Sequence, residues 1–237
     1  GADIMPFAVH LASANLAAME PGVTIERTQI VEGDSIRLVP GQRLRSGLQR
    51  ELFPLARKAK KMSGEEYELD LEKVHTVVMN PPFTKVERRI QDYVDMEKFK
   101  VMLGGEVGLW AHFLLLADEF LDDGGGCGAV VPINLLRGRE SVQVRDFVFS
   151  AWTPLYILKP TLNCGFSEWA DYRDIIIVAK KGPPPPGHCV RFALVKKDLT
   201  KLDEPTIQSI SNRILKNSKL RSADLDIESY TVAELLQ

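Results

Sequence analysis

Short runs of β-branched and other apolar residues alternate along the chain with segments whose apolar positions recur every three or four residues. The runs predicted to form strands are 23–31, 74–79, 127–133, 155–159, 174–180 and 189–195. The segments predicted to form helices are 4–14, 109–121 and 141–150. Strands that alternate with helices indicate an α/β layered fold with a largely parallel sheet.

The middle of the chain gives the sharpest local predictions. The run Val74–Met79 is apolar enough to predict a buried strand, and the helix over 109–121 is predicted to be amphipathic. The residues on the apolar side of that helix would be Leu109, Phe113, Leu116 and Phe120. The glycine-rich segment 122–126 is predicted to be a turn that ends the helix, and the next strand follows it.

Two shifts in composition predict the organisation of the chain. Between residues 37 and 61, eight basic residues face one acidic residue, and five acidic residues follow, which predicts a basic insertion at about 37–72. Four consecutive prolines at 183–186 predict a stiff linker over 182–187. We therefore predict a main domain over 1–181 and a C-terminal strand with a helical tail over 188–237.

Composition excludes several classes of protein. The 237 residues are 45% hydrophobic and 26% charged, as in ordinary globular proteins, and their net charge of −2 argues against binding polyanions through global positive charge. No apolar run approaches the roughly 20 residues that span a bilayer, so we expect a cytoplasmic protein without a membrane partner. The three cysteines form no C-x-x-C pair, and we expect no metal site.

The segment with the clearest chemistry is Asn80-Pro81-Pro82-Phe83, which follows the strand 74–79 directly. In open α/β sheets, ligands bind at the carboxyl ends of strands. The prolines stiffen the backbone and remove two N–H donors, while the amide oxygen of Asn80 and the carbonyl oxygen of Pro81 are acceptors. Phe83 offers a flat apolar face. This combination suits a planar ligand with an exocyclic amino group, held by both of its hydrogens.

The order of these segments resembles the catalytic region of adenine-specific DNA methyltransferases, the S-adenosylmethionine-dependent enzymes of restriction-modification systems. The matching segments are the strand and turn 77–84, the helix 109–121, the strand Gly128-Ala129-Val130-Val131-Pro132, the Phe-Ser-Glu segment 166–168 and the strand 175–181. The resemblance as a whole covers about residues 1–181. The resemblance implies a catalytic domain built on a Rossmann-like methyltransferase sheet with helices on both faces.

The same resemblance implies roles for individual residues. Asp3 would hold the ribose hydroxyls of S-adenosylmethionine, Ile4 would pack against its adenine, and Asp34 would accept a hydrogen bond from the amino group of that adenine. The target adenine would leave the DNA duplex, as in other base-flipping enzymes, and reach Asn80–Phe83. Phe166 would form part of the wall opposite Phe83.

Partners follow from the resemblance and from the distribution of basic residues. DNA is the implied partner, together with a separate specificity domain or subunit. Basic residues at the ends of strands either form a solvated face or contact phosphates, and they are Lys85, Arg88, Arg89, Arg137, Arg139 and Arg145.

One departure from the family pattern concerns the glycine-rich loop that wraps the methionine part of the cofactor. In the family this loop precedes the position of Asp3, and the sequence before Asp3 does not contain it. The resemblance therefore predicts a partial catalytic domain, truncated at its N-terminus, with little activity or cofactor affinity of its own.

Two alternatives stay open at this stage. Enzymes with closely similar Asn-Pro-Pro-aromatic turns methylate amines of RNA or the side chain of a protein glutamine, so these are alternative substrates. The Phe-Ser-Glu segment and the basic insertion favour DNA. The second alternative is a non-catalytic nucleic-acid-binding module of the same fold. The intact tetrapeptide argues against this degenerate module, and the missing glycine-rich loop argues for it.

Overall fold

The computed structural model describes residues 2–3, 5–19, 30–44, 69–83, 95–104, 107–160, 174–198 and 201–235. The chain divides into two compact units. The first unit comprises Gly1–Lys73 and Val86–Val101, and the second comprises Val74–Lys85 and Met102–Gln237.

The described strands are β1 (Ala2–Asp3), β2 (Val31–Glu32), β3 (Arg43–Leu44), β4 (Leu69–Asp70), β5 (Val74–Met79), β6 (Leu121–Pro132), β7 (Trp152–Pro160), β8 (Asp174–Lys181), β9 (Cys189–Val195), β10 (Leu220–Arg221) and β11 (Leu225–Thr231). The described helices are α1 (Pro6–Met19), α2 (Lys100–Leu103), α3 (Leu109–Phe120), α4 (Asn134–Arg137), α5 (Val142–Ser150), α6 (Glu204–Lys216) and α7 (Val232–Leu235). None of these helices has the length and apolar character needed to cross a membrane.

The first unit is organised around a parallel pair of short strands. Asp3 of β1 is opposite Glu32 of β2, and helix α1 follows β1. Phe7, Leu11 and Ala14 recur on one side of α1 at helical spacing, and all three are exposed. The helix is apolar around most of its circumference, so the spacing of its apolar residues could not select one side.

The predicted insertion begins and ends at a small antiparallel sheet. Arg43 of β3 pairs with Asp70 of β4 in the ladder, and their side chains form a bidentate ion pair. Leu44 is opposite Leu69 in the same ladder, so the two ends of the intervening segment are neighbours. The basic residues from Arg45 to Lys61 lie outside the described residues.

The second unit contains a seven-stranded sheet in the order β10-β11-β9-β7-β8-β6-β5. Only the pairs β5–β6 and β7–β9 are parallel, and the other four neighbouring pairs are antiparallel. The expectation of a largely parallel sheet is therefore wrong for the described strands. Runs of β-branched residues indicate where strands form but carry no information on strand direction.

Helices lie on both faces of this sheet, as the resemblance implied. One face, which we call the inner face, carries a continuous layer of side chains at most 2% exposed, namely those of Cys127, Ala129, Val131, Ile157, Ile175 and Ile177. Helices α3 and α5 contact β6 and β7. On the opposite face, Ile210 and Ile214 of α6 pack with β9 and β11.

The strands 189–195 and 225–231 extend the same sheet beyond the four prolines. The strand at 189–195 was predicted, whereas β10 and β11 were not. Helix α6 of this region has well-formed ends. The Asp203 carboxylate accepts the Thr206 N–H at its start, and the Arg191 guanidinium donates to the carbonyl of Leu215 at its end. The division into domains at 181 and 187 stays a prediction.

Two predictions about β6 and its preceding helix need correction. Helix α3 is buried on most sides, and Phe113 and Phe120 of its predicted apolar side are only half-buried. The glycine-rich segment 122–126 is part of β6 rather than a turn before it. It forms a bulge, because β6 advances from Leu121 to Gly126 while the partner strand β5 advances only from Val74 to Thr76.

The strand β5 forms as predicted over Val74–Met79, but its prediction as a buried strand is wrong. Val78 is 83% exposed, and the other side chains of β5 are exposed or half-buried. Among the described strands, only β6 pairs with β5, which is the last strand of the sheet. Its apolar composition alone could not indicate this edge position.

Candidate active site

The Asn-Pro-Pro-Phe segment leaves the sheet at the carboxyl end of β5, where the sequence placed it. Asn80 follows the last residue of the strand, and its side chain is exposed. Pro81 is buried, Pro82 is exposed and Phe83 is half-buried. The turn is thus anchored through Pro81 and presents the Asn80 amide outward. Because each proline restricts both itself and the residue before it, the backbone from Asn80 to Pro82 has little freedom.

The beginning of α3 supports this turn. Gly108 precedes the helix, and a Cβ atom added to it would lie 2.8 Å from Cδ1 of Trp110 and 3.5 Å from the carbonyl oxygen of Phe83. Trp110 is only 4% exposed, so its indole has little room to move away. The absence of a side chain at residue 108 therefore lets the helix start and the turn approach each other closely. Sequence reasoning missed Gly108 because it belongs to no motif.

In the first unit, two carboxylates follow adjacent parallel strands. Asp3 is the last residue of β1, and Asp34 follows β2 by two residues. Strand ends of a parallel pair share one edge, so both carboxylates belong to the same edge of this small sheet. The side chain of Asp3 is exposed, and its Oδ1 accepts the N–H of Met5 at 2.8 Å.

The carboxylate of Asp34 is buried and holds its own loop together. Its Oδ1 accepts the N–H of Ile36 at 3.0 Å, and its Oδ2 accepts the N–H of Asp95 at 2.8 Å. The Nε atom of Arg37 lies 3.4 Å from Oδ2, and the Asp34 side chain is 2% exposed. Burial raises the pKa of Asp34, while the two N–H groups oppose this rise. Asp95 was not found from sequence, because no local pattern connects residues 61 positions apart.

The side chains of Asp3 and Asp34 have the chemistry needed to bind the adenosine part of a nucleoside cofactor. Asp3 is an exposed acceptor, suited to paired ribose hydroxyls. Oδ1 of Asp34 accepts from the Ile36 N–H and keeps a second lone pair, whereas Oδ2 faces both the Asp95 N–H and Arg37. The N–H groups of Ile36 and Asp95 fix the Asp34 carboxylate in one orientation. The roles assigned to Asp3 and Asp34 stay predictions. Ile4 and Phe166, the other two residues implied by resemblance, lie outside the described residues.

The basic residues near the strand ends differ in their contacts and exposure. Arg145 donates to the carbonyl oxygens of Leu135 and Gly138, both at 3.3 Å, so it braces its own loop. Arg137 and Arg139 are exposed. The basic residues that closely follow the Asn-Pro-Pro-Phe turn, Lys85, Arg88 and Arg89, lie outside the described residues. No group of three or more histidine, cysteine, aspartate or glutamate side chains within the described ranges could hold a metal ion.

The second unit thus combines a mixed sheet that has helices on both faces with an Asn-Pro-Pro-Phe turn at the end of one strand. No protein family model matches the chain, and no curated protein matches its sequence. Among solved structures, the methyltransferase subunit of a type I restriction-modification system from Streptococcus thermophilus has a TM-score of 0.62 and 16% identity over 100% of this chain and 45% of that one.

Two further structures are similar to the chain. The type ISP restriction-modification enzyme LlaGI, solved as a nuclease-deletion mutant with a DNA substrate mimic, has a TM-score of 0.55 and 12% identity over 90% of this chain and 19% of that one. The M protein of the type I restriction enzyme EcoKI has a TM-score of 0.51 and 18% identity over 87% of this chain and 37% of that one.

These similarities confirm the resemblance to restriction-modification methyltransferases at the level of the fold. The chain has the Rossmann-like methyltransferase fold that was expected, and one neighbour matches it over its full length. The chain spans less than half the length of each of these three proteins.

Proposed function

We propose that this chain forms part of an enzyme that transfers a methyl group from S-adenosylmethionine to the exocyclic amino group of adenine in DNA. The observation that carries the proposal is the exposed Asn80 amide, held by the proline-stiffened turn at the end of β5. The methyltransferase fold supports the reaction class. When bound, S-adenosylmethionine would supply an electrophilic methyl group: as the amine nitrogen bonds to the methyl carbon, the C–S bond would break, the sulfur would leave as a neutral thioether, and one amino proton would pass to water.

The turn prepares the amine for this reaction by positioning alone. The Oδ1 atom of Asn80 and the carbonyl oxygen of Pro81 accept the two amino hydrogens, so that the nitrogen lone pair is drawn out of conjugation with the ring. Pro82 keeps the turn rigid, and Phe83 stacks on the extruded base. This chemistry requires neither a metal nor a strong base on the protein.

The cofactor would be held by Asp3, Ile4 and Asp34. The exposed carboxylate of Asp3 accepts from the ribose hydroxyls, and Asp34 accepts from the adenine amino group through the second lone pair of its Oδ1. Ile4 packs against the adenine ring. The backbone anchors of Asp34 support this role, because a fixed acceptor loses little entropy when a ligand binds.

The similar structures support the proposal that the substrate is DNA and that further domains or subunits take part. LlaGI was solved with a DNA substrate mimic, and the Streptococcus thermophilus protein is a subunit of a larger system. We therefore propose that the DNA recognition sequence is selected by a separate domain or subunit. RNA and protein glutamine are the alternative amine substrates, and a non-catalytic nucleic-acid-binding module is the alternative function.

The experiment that tests the function follows labelled methyl groups from S-adenosylmethionine into DNA, RNA and protein, using the full-length protein with its natural partners. We expect label in adenine of DNA. The variant Asn80→Ala should lower the rate constant for transfer at least about 100-fold, in the range observed when one group that stabilises a transition state is removed.

The matched control is Asn212→Ala, because Asn212 is an exposed asparagine on α6. It should transfer methyl groups at the wild-type rate. Label in RNA or protein alone would overturn the DNA assignment, and a wild-type rate for Asn80→Ala would overturn the role of the turn. Absence of transfer by the wild-type protein, with DNA binding retained, would favour the non-catalytic module.

A further inference from the structure

The segment after β6 presents two arginines at the same edge of the sheet as the catalytic turn. β5 and β6 are parallel neighbours, with Met79 opposite Ala129. β6 continues to Pro132, so the chain that follows it leaves from the edge where Asn80 follows β5. Neighbouring strands are only about 4.8 Å apart, which makes these two segments neighbours at that edge. The exposed side chains of Arg137 and Arg139 belong to the segment after β6.

The backbone that carries these arginines is held by several hydrogen bonds centred on Gly138. Its N–H donates to the carbonyl of Asn134 at 2.7 Å, and its own carbonyl accepts from Ser141 N–H and from Arg145. A Cβ atom at residue 138 would lie 2.8 Å from the Asn134 carbonyl oxygen, so a glycine is required for this close turn. The loop is therefore ordered before any ligand binds, and little conformational entropy is lost on binding.

The charges of this loop are arranged for an external anion. Glu140 is the acidic residue beside the two arginines, and its Oε1 accepts the side-chain N–H of Asn134 at 3.1 Å. In the part of the chain that the structure describes, no carboxylate forms an ion pair with Arg137 or Arg139. The third basic residue, Arg145, is directed to backbone carbonyls instead. Two guanidinium groups thus remain for a ligand.

We propose that Arg137 and Arg139 bind backbone phosphates of the DNA strand whose adenine reaches Asn80. Guanidinium groups suit phosphate oxygens because they donate two parallel hydrogen bonds. Such contacts fix the register of the strand without reading its sequence. The inference rests on the proposed function, and it assigns to this loop the task of holding the strand beside the extruded base. Arg137 and Arg139 are positioning residues, since they touch phosphates rather than the reacting amine.

The test measures binding of the full-length protein to a fluorescent DNA duplex over a range of salt concentrations. The double variant R137Q/R139Q should bind more weakly, and the slope of log affinity against log salt should be smaller in magnitude by about 1.8, since each phosphate contact contributes about 0.9. In methyl transfer, KM for DNA should rise while kcat is retained. Asn80→Ala should show the opposite pattern, with kcat lowered and the salt slope unchanged.

The charge-matched control is K216Q/K219Q. These exposed lysines precede β10, which is at the far end of the sheet from β5, and their loss removes the same two positive charges. We expect their salt slope to equal that of the wild type. An unchanged slope for a folded R137Q/R139Q protein would overturn the inference, and equal reductions in both double variants would also overturn it. A slope that changes with RNA but not with DNA would assign the loop to RNA instead.

The proposed function and this inference fail in different ways. If the wild-type protein transfers no methyl groups, the proposed function fails whatever the arginine variants do. If the wild type transfers methyl groups to DNA and R137Q/R139Q matches it in KM and in salt slope, only the inference about the loop fails. Circular dichroism at each salt concentration checks that the variants are folded.

Discussion

Trp152 donates its indole N–H to Oδ1 of Asp118 at 2.6 Å, which connects the last turn of α3 to the start of β7. Lys181 strengthens the same junction, because its ammonium group donates to the carbonyl oxygens of Asp118 and Leu121. Trp152 is fully buried. One tryptophan therefore both fills the core and provides a partner for a carboxylate at its edge.

Replacing Trp152 with phenylalanine should lower the free energy of unfolding by about 2–4 kcal/mol, because a hydrogen bond to a charged group is lost and a cavity is left. Urea denaturation measures this change as a lower midpoint. The control is Asp118→Asn, which keeps an acceptor oxygen for the indole and should cost less than about 1 kcal/mol. A wild-type midpoint for Trp152→Phe would contradict the stabilising role of this contact.

His112 should make the second unit less stable in acid. Burial lowers the pKa of His112 to about 4, so the folded protein resists protonation, whereas the unfolded chain takes up the proton near pH 6.5. The free energy of unfolding should therefore fall as the pH decreases from 6.5 to 4, by roughly 3 kcal/mol in total from this group. Denaturation midpoints measured across this pH range test the expectation.

The comparison for His112 uses two variants. His112→Gln cannot take up a proton, so its loss of stability between pH 6.5 and 4 should be smaller than that of the wild type. His10 is exposed, and His10→Gln is the matched substitution at a surface histidine. If His112→Gln and the wild type lose the same stability in acid, protonation of His112 is not the cause.

Sequence patterns predicted the positions of most described helices and strands, but not how the strands pair or which of their side chains are buried. The strands β8 and β9 were predicted almost to the residue, because β-branched runs bounded by charged residues and prolines favour only one local structure. The glycine-rich start of β6 was missed, since its bulge depends on pairing with β5. Burial of β5 was misjudged for the same reason, because exposure of Val78 depends on which strands flank it.

Part of the candidate site could likewise be predicted from the sequence, and part of it could not. Asn80 and its turn were identifiable because their chemistry is local to four consecutive residues. The supporting groups Gly108 and Asp95 act through contacts with residues distant in sequence, and single positions of these types have no pattern of their own. The use of Arg145 as a brace for backbone carbonyls could not be distinguished in the sequence from a phosphate contact.

A side chain at residue 108 should disturb the turn Asn80–Phe83. In Gly108→Ala the new methyl group would press on Trp110, which is almost fully buried, and would touch the Phe83 carbonyl. We expect stability to fall by about 1–3 kcal/mol, as in other overpacked sites. We also expect kcat for methyl transfer to fall, because a small displacement of the turn misaligns the amine. Thermal denaturation and single-turnover rates measure the two effects.

The control for Gly108 is Gly128→Ala in β6, where an added Cβ atom meets nothing within 4 Å. This variant should be as stable and as active as the wild type, or slightly more stable because the unfolded chain is less flexible. Equal losses of activity at both positions would show that the effect is not specific to the contact with the turn.

Asp3 and Asp34 should contribute to cofactor binding in separable ways. Asp3→Ala removes an exposed carboxylate that accepts a hydrogen bond from the Met5 N–H. The first unit should therefore keep its stability, while affinity for S-adenosylmethionine falls at least about 10-fold, the amount expected when a hydrogen bond to a charged group is lost. Asp34→Ala instead leaves the buried N–H groups of Ile36 and Asp95 without their acceptor, so it should destabilise the first unit by about 2–4 kcal/mol as well.

Titration calorimetry of the full-length protein measures the affinity, and hydrogen exchange of the Ile36 and Asp95 amides measures the stability of the loop. Glu97→Ala is the control, since Glu97 is an exposed acidic residue of the same unit. It should change neither quantity. Wild-type affinity in Asp3→Ala would remove Asp3 from the cofactor site. Faster exchange in Asp34→Ala with unchanged affinity would show that Asp34 only orders its loop, because loss of a carboxylate that contacts the cofactor must lower the affinity.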